Sequence, residues 1–147
     1  LSLRRHCKGP VNVIVCMGDT LTHLASLQSV ERLFESVSVA LGPGGVFVAT
    51  FRNYAPRGPE GVDRFFPVRQ DEGRILTCVL EYQETTVTVY DQLHERTDDG
   101  WMLRVSRYSK VRLSPEWAAS TLRRLGLVPT LEDGPRGMVR LLATRPA

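Results

Sequence analysis

Three side chains with useful chemistry follow a short apolar segment near the start of the chain. Val11–Cys16 is almost entirely apolar and β-branched, and Gly18, Asp19 and His23 come soon after it. A histidine exchanges protons readily near neutral pH, so His23 is a candidate general base. A second interpretation is that Gly18 and Asp19 only shape a turn and cap a short helix, and that His23 is an ordinary surface or core group.

The apolar segment predicts a strand of a parallel sheet, buried on both faces. In open α/β sheets, ligands bind just beyond the carboxyl ends of the strands, so the turn after Cys16 is the predicted site. An amphipathic helix is predicted from about Ala25 to Leu41, with Gly42 as its left-handed cap. A second apolar strand, Val46–Phe51, completes a βαβ unit.

The rest of the chain predicts a different arrangement. Arg52–Gln70 is expected to be a polar loop, and period-two alternation then predicts an antiparallel meander of three strands. Ser114 and Pro115 predict the start of a helix that Gly126 ends. The other elements predicted after residue 70 are the three strands of the meander at 74–82, 86–96 and 101–113, a three-residue turn at 98–100, and two last strands at 127–131 and 138–144.

Composition limits the class of protein. The 147 residues suffice for one domain, 42% of them are hydrophobic, and the net charge of +3 is too small to indicate nucleic acid. No apolar run reaches the ~18 residues of a membrane span, and residues 1–10 do not resemble a signal peptide. Cys7, Cys16 and Cys78 form no metal or disulfide spacing, so free thiols in the cytoplasm are expected, with no metal site.

Two blocks of sequence resemble the class I S-adenosylmethionine-dependent methyltransferases. Cys-Met-Gly-Asp-Thr-Leu-Thr-His-Leu, at 16–24, is similar to the end of that family's fourth strand. Leu-Gly-Pro-Gly-Gly followed by Val-Phe-Val-Ala-Thr-Phe-Arg, at 41–52, resembles the next strand. The meander is similar to the substrate-covering insertion of glycine N-methyltransferase-like enzymes. The resemblance implies an α/β fold: a partial Rossmann-like, three-layer sheet with an antiparallel three-stranded insertion at 74–113.

The resemblance also shows what the sequence lacks. The family binds its cofactor mainly with a Gly-rich turn after the first strand and an acidic residue after the second. The only glycine cluster here, Gly42–Gly45, precedes a strand, so it cannot be that turn. Residues 1–147 therefore resemble the carboxyl-terminal part of a methyltransferase, without the amino-terminal cofactor-binding half. Two further departures are Asn12, where an acidic residue is frequent, and Arg52-Asn53-Tyr54, where Arg-Asp-Tyr is expected.

Eight residues have predicted roles, and the resemblance implies a cofactor, S-adenosylmethionine. His23 is the predicted catalytic base. The residues implied to bind the cofactor are Met17, Gly18, Asp19 and Leu24, and the residues predicted to bind substrate are Arg52, Tyr54 and Arg107. Methyl transfer needs alignment and exclusion of water more than it needs a base. For Arg52 and Tyr54, a solvated loop is an equally good interpretation.

The meander offers one charged pair. A three-residue turn at 98–100 places Asp91 opposite Arg107 on the otherwise apolar face of neighbouring strands. The favoured interpretation is a buried ion pair, and the alternative is a polar grip on substrate. Arg104, Lys110 and Arg112 fall on the other face and are predicted to be solvated.

These observations favour a methyltransferase acting on an oxygen or nitrogen atom of a small molecule. The main alternative is a non-catalytic module of the same fold that binds a ligand, or binds a partner chain through an exposed sheet edge. An RNA-binding protein is a weaker third interpretation, because the sequence has no arginine-rich run or aromatic platform. No nucleic-acid or membrane partner is expected, and a homodimer is left open.

Overall fold

The computed structural model describes residues 9–147, and Cys7 lies outside them. Two compact units are present: the first runs to Ala55 and resumes over Val111–Ala147, and the second is Pro56–Lys110. The elements in chain order are β1 (Val11–Cys16), α1 (Leu27–Ala40), β2 (Leu41–Phe51), β3 (Phe65–Gln70), β4 (Arg74–Tyr82), β5 (Thr86–Thr97), β6 (Gly100–Val111), α2 (Pro115–Arg124), β7 (Val128–Asp133) and β8 (Val139–Thr144).

The first unit contains a four-stranded mixed sheet in the order β1-β2-β8-β7. β1 and β2 are parallel and are joined through α1, which confirms the predicted βαβ unit. β8 runs antiparallel to both β2 and β7. Both helices pack against the sheet face that carries Phe47, Ala49 and Leu141. The carboxyl ends of β1 and β2 therefore share one edge of the sheet, where the turn after Cys16 begins.

β1 differs from the prediction of a strand buried on both faces. Ile14 and Cys16 pack against the core, but Val13 and Val15 are 61% and 63% exposed. Their alternation is that of a strand with one covered face. The prediction of a parallel strand is confirmed, but within residues 9–147 its second face is exposed at Val13 and Val15.

The boundaries of α1 follow from its capping residue. The Ser26 hydroxyl accepts a hydrogen bond from the backbone N–H of Ser29, which satisfies one of the free donors of the first turn. Val30, Phe34 and Val37 are buried, as the apolar stripe predicts. The prediction that Gly42 is a left-handed cap is wrong: Leu41 ends the helix in an extended conformation, and the chain continues directly into β2.

α2 forms as its sequence predicts. The Ser114 hydroxyl accepts a hydrogen bond from the Trp117 N–H, and Pro115 occupies the first turn. Gly126 follows the helix with φ of 80°, a conformation that suits glycine. Thr121 and Leu122 are buried, which attaches the helix to the sheet.

The second unit contains an antiparallel sheet in the order β3-β4-β5-β6. It includes the three predicted strands and a fourth, β3, which was predicted to be loop. Proline and arginine within Phe65–Gln70 hide the strand in the sequence, but an edge strand tolerates both. The turn between β5 and β6 contains only Asp98 and Asp99, because Gly100 already belongs to β6.

The predicted buried ion pair between Asp91 and Arg107 is not found. Arg107 is exposed and Asp91 is only half-buried. Glu95 instead pairs with Arg74 at 3.3 Å and with Arg104 at 3.4 Å. The turn is one residue shorter than predicted, so the predicted pairing does not follow from it.

Within residues 9–147, no helix has both the length and the hydropathy needed to cross a membrane.

Candidate functional site

The turn after β1 has an unusual backbone. Gly18 and Asp19 both have φ of 70°, in the left-handed region, and a short 3₁₀ turn at Thr20–His23 follows. Asp is one of the few residues with a side chain that tolerates this region. The backbone therefore turns sharply at the end of β1 and stays over the edge of the sheet.

The Asp19 carboxylate joins this turn to the end of β2. Its Oδ1 accepts a hydrogen bond from the Arg52 backbone N–H at 2.8 Å, and its Oδ2 accepts one from the Tyr54 hydroxyl at 3.4 Å. Asp19 is only 6% exposed. A buried carboxylate is stable when its oxygens are satisfied in this way. Asp19 thus fixes the spacing between the two loops at the carboxyl edge.

Thr50 strengthens the same junction. The Gly18 N–H donates to the Thr50 hydroxyl at 2.8 Å, and the Asp19 N–H donates to the Thr50 carbonyl at 2.9 Å. The Thr22 hydroxyl donates to the Asp19 carbonyl at 2.8 Å. Sequence analysis missed Thr50, although a polar residue within the apolar segment Val46–Phe51 is a signal that could have identified it.

Arg112 holds the loop that follows β2. Its Nε donates to the Tyr54 carbonyl at 3.0 Å, and its Nη2 donates to the Ala55 carbonyl at 2.6 Å. The prediction that Arg112 and Lys110 are solvated is wrong, since Arg112 is half-buried and Lys110 is buried. No local pattern reveals this role, because the acceptors are backbone carbonyls 57 and 58 positions away.

The residues predicted to bind substrate fall into two groups. Arg52 and Tyr54 lie beside the turn after β1. Tyr54 is buried and its hydroxyl is bonded to Asp19, whereas Arg52 is exposed and donates from Nη1 to the Arg136 carbonyl at 3.2 Å. Arg107 belongs to the second unit and is exposed on β6.

The remaining predicted residues also differ in exposure. His23 is exposed at the end of the 3₁₀ turn, and Met17 is 48% exposed at the end of β1. Leu24 packs against the core. Beside them, Cys16 is half-buried, and burial raises the pKa of its thiol above the ordinary value. Cys16 and Cys78 carry reduced thiols.

The two loops at this edge thus carry an exposed imidazole, an exposed guanidinium and a buried carboxylate. His23 and Arg52 face solvent, while Asp19 holds the two loops that carry them. Such an arrangement can orient a polar molecule and accept a proton from it. Within residues 9–147, no group of three or more His, Cys, Asp or Glu side chains could hold a metal ion.

Comparison with known proteins identifies the fold. No protein-family model matches the sequence, and no curated protein does. The structure of S-adenosylmethionine-bound CalS10, an amino pentose methyltransferase from Micromonospora echinaspora, matches with a TM-score of 0.79 at 17% identity, over 95% of this chain and 60% of CalS10. The CcbJ methyltransferase from Streptomyces caelestis matches with a TM-score of 0.78 at 14% identity, over 95% of this chain and 59% of CcbJ.

A third match comes from a different organism. An S-adenosylmethionine-dependent methyltransferase from Clostridium acetobutylicum has a TM-score of 0.73 at 14% identity, over 96% of this chain and 61% of that protein. The chain has the fold of the S-adenosylmethionine-dependent methyltransferases. This confirms, for the fold, the resemblance found in the sequence. The chain covers about 60% of the length of these structures.

Proposed function

We propose that this chain is the carboxyl-terminal part of an S-adenosylmethionine-dependent methyltransferase that acts on an oxygen or nitrogen atom of a small molecule. The observation that carries the proposal is the junction at the carboxyl edge, where Asp19 ties an exposed His23 and Arg52 to one side of a methyltransferase fold. Ligands of open α/β sheets bind at this edge.

The residues at the end of β1 fit one end of S-adenosylmethionine. Met17 is exposed, and Gly18 has no side chain and nothing within 4 Å of the position that a Cβ would occupy, so a ligand can approach the backbone there. Asp19 and Leu24 fit less directly, because both are turned into the protein. We assign them to shaping the turn. The cofactor, when bound, supplies a methyl group activated by a positively charged sulfur.

The chain's own residues act on the acceptor. The loops joined by Asp19 hold His23 and Arg52 at fixed positions, so that the acceptor can be aligned and shielded from water. The imidazole of His23 can take the proton that an oxygen or nitrogen acceptor releases. Arg52 remains a proposed substrate contact, and the role of Arg107, which belongs to the second unit, stays a prediction from the sequence. The buried Tyr54 contributes by supporting Asp19, since its hydroxyl donates to that carboxylate.

The acceptor class is proposed from the solved structures. CalS10 is described as an amino pentose methyltransferase, and KedS8 from a Streptoalloteichus species as a sugar N-methyltransferase. Amino sugars are therefore the first acceptors to test. The proposed enzyme is cytoplasmic and has no nucleic-acid or membrane partner, and a homodimer remains open.

A direct assay tests the proposal. The full-length protein that includes this chain is incubated with methyl-labelled S-adenosylmethionine and a panel of amino sugars, neutral sugars and small amines. We expect label to appear on one acceptor class, detected by mass spectrometry. A protein that binds S-adenosylmethionine but transfers label to no acceptor would favour the alternative, a non-catalytic binding module. The control is the same protein with S-adenosylhomocysteine in excess, which should suppress transfer.

A further inference from the structure

A surface cavity lies at the end of the first unit's sheet that is remote from the Asp19 junction. Its volume is about 460 Å³, and its lining comes from the last turn of α1, the segment that ends α2 and the residues after β8, all within the first unit. β2 starts at this end and finishes at the junction. From Gly45 to Thr50 a strand rises about 17 Å, so the cavity is separate from the site already described.

Arg145 is the charged residue of the lining, and its backbone is held in place. The Arg145 N–H donates to the Gly45 carbonyl at 2.8 Å, and the Arg145 carbonyl accepts from the Gly44 N–H at 3.0 Å. These bonds continue the pairing of β8 with β2 beyond Thr144. The side chain of Arg145 therefore starts from a defined position beside the cavity.

One part of the Arg145 guanidinium is attached to the end of α1. Its Nη1 donates to the Ser38 carbonyl at 2.9 Å and to the Leu41 carbonyl at 2.6 Å. The last turn of α1 has no basic residue of its own, and a cation at this position offsets the negative end of the helix dipole. This structural role uses both hydrogens of Nη1.

The other part of the guanidinium is left for a ligand. Nε and Nη2 carry the remaining N–H groups of the side chain, and within residues 9–147 neither atom has a hydrogen-bond partner. Together they form the planar fork that binds a carboxylate or a phosphate through two parallel hydrogen bonds. Stabilising α1 accounts for Nη1 alone, so the fork is the part of Arg145 that favours a bound oxyanion.

The rest of the lining offers apolar contact and no competing charge. Val39, which is 48% exposed, and Leu125 contribute hydrocarbon surface. The Ser38 hydroxyl already donates to the Glu35 carbonyl at 2.9 Å. Gly126 follows with φ of 80° and nothing within 4 Å of the position that a Cβ would occupy, which leaves that wall open. No acidic side chain belongs to the described lining.

We propose that this cavity binds a small organic anion, with its carboxylate or phosphate group on the Nε and Nη2 of Arg145. The apolar part of the anion lies against Val39 and Leu125. The volume of the cavity falls within the range of small-molecule sites, which is roughly 300–1,000 Å³. The proposed ligand is distinct from the methyl acceptor, because the cavity and the carboxyl edge lie at opposite ends of β2.

The test uses two anions and a neutral molecule of similar size. The full-length protein that includes this chain is titrated calorimetrically with benzoate, phenyl phosphate and benzyl alcohol. Arg145→Lys keeps the charge but removes the planar fork. Its control is Arg140→Lys, the same change on β8 at a side chain that bonds to Glu132 and lies outside the lining.

A second pair of variants tests the charge preference without touching Arg145. Val39→Glu places a negative charge beside the cavity, and Val39→Gln is its uncharged match. Since Val39 is exposed, both variants should keep the thermal midpoint of the protein. This pair therefore decides the matter if Arg145→Lys fails to fold.

We expect at least one anion to bind with a Kd below about 1 mM and about 10-fold or more tightly than benzyl alcohol. Arg145→Lys and Val39→Glu should each raise that Kd about 10-fold, Val39→Gln should raise it less than Val39→Glu, and Arg140→Lys should leave it unchanged. The anion that binds more tightly identifies carboxylate or phosphate as the preferred group.

Four results would overturn the proposal. They are benzyl alcohol binding as tightly as the anions, a Kd that Arg145→Lys and Val39→Glu both leave unchanged, no anion binding below about 10 mM, and a Kd that rises in Arg52→Lys instead, which would locate the anion at the carboxyl edge.

Discussion

At the scale of single residues, the site depends on one carboxylate. Asp19 is buried, has a left-handed backbone and accepts hydrogen bonds from two residues of the loop after β2, which are 33 and 35 positions away. A left-handed conformation is tolerated by Asp but is still unfavourable, and it persists only where surrounding contacts fix it. Those contacts are the bonds to Arg52, Tyr54 and Thr50. Asp19 was predicted to bind the cofactor, and its geometry favours a positioning role.

Replacing Asp19 by alanine should destabilise the first unit. The change leaves the Arg52 N–H and the Tyr54 hydroxyl without their acceptor, and buried unsatisfied donors of this kind cost about 1–3 kcal/mol each. Urea denaturation of the variant measures the free energy of unfolding. Asp133→Ala, which removes an exposed carboxylate from the same unit, is the control and should lose little. Equal losses in the two variants would show that the Asp19 contacts contribute no stability.

His23 carries the proposed proton transfer. In the full-length enzyme, His23→Gln should keep the affinity for S-adenosylmethionine and lower turnover by roughly 10²–10⁴-fold. The wild-type rate should fall as the pH is lowered, and the variant should lose this dependence. Steady-state kinetics across pH measure both effects. A modest loss with an unchanged pH profile would remove the base assignment and leave alignment as the role of His23.

Cys16 offers a check on burial at the same edge. Burial raises the pKa of its thiol, and only the thiolate is nucleophilic, so Cys16 should react slowly at neutral pH. In a Cys7→Ala, Cys78→Ala variant, alkylation by iodoacetamide should be slower than that of free cysteine and should accelerate only at higher pH than free cysteine requires. Alkylation as fast as that of free cysteine would show that the Cys16 thiol is fully exposed to solvent and not half-buried.

At the scale of elements, local signals were sufficient where the contacts are local. Ser114 and Gly126 act at the two ends of α2 as the sequence predicts. The features that the sequence did not predict depend on contacts between residues that are distant in sequence. β3 forms because β4 pairs with it, and the two helices cover only one face of β1. The roles of Thr50 and Arg112 depend on partners distant in sequence, which a single sequence does not reveal.

The start of α2 provides a test of local stabilisation. Ser114→Ala removes the acceptor for the Trp117 N–H and should cost about 0.5–2 kcal/mol in urea denaturation. Ser120→Ala, at an exposed position within the same helix, is the control and should cause no loss, because alanine favours helix. A Ser114→Ala variant as stable as the control would show that the cap does not contribute.

The same cap gives a pH dependence with a definite sign. The hydrogen bond from the Ser114 hydroxyl lowers the pKa of Glu116. Since the folded-state pKa lies below the unfolded value, this contribution is present above the unfolded pKa and disappears as the pH falls through the folded one. The difference between wild type and Ser114→Ala should therefore shrink in acid and level off once Glu116 is protonated.

At the scale of the whole molecule, the chain has the fold of the S-adenosylmethionine-dependent methyltransferases. The α/β class, the βαβ unit and the antiparallel insertion were predicted from the sequence, and the solved structures confirm the fold. The chain spans about 60% of those structures. Within the described residues, the edge strand β1 carries no charge, and Val13 and Val15 are exposed on one face of the sheet. The proposed division places the acceptor side in this chain and most cofactor contacts in the remaining part.

Calorimetric titration with S-adenosylmethionine tests this division most directly. The 147-residue chain alone should bind weakly or not at all, because no Gly-rich turn follows a strand within residues 9–147. The full-length protein should bind with a dissociation constant in the micromolar range. A dissociation constant of about 1 μM corresponds to a binding free energy of about −8 kcal/mol. Micromolar binding by the isolated chain, or no binding by the full-length protein, would contradict the account.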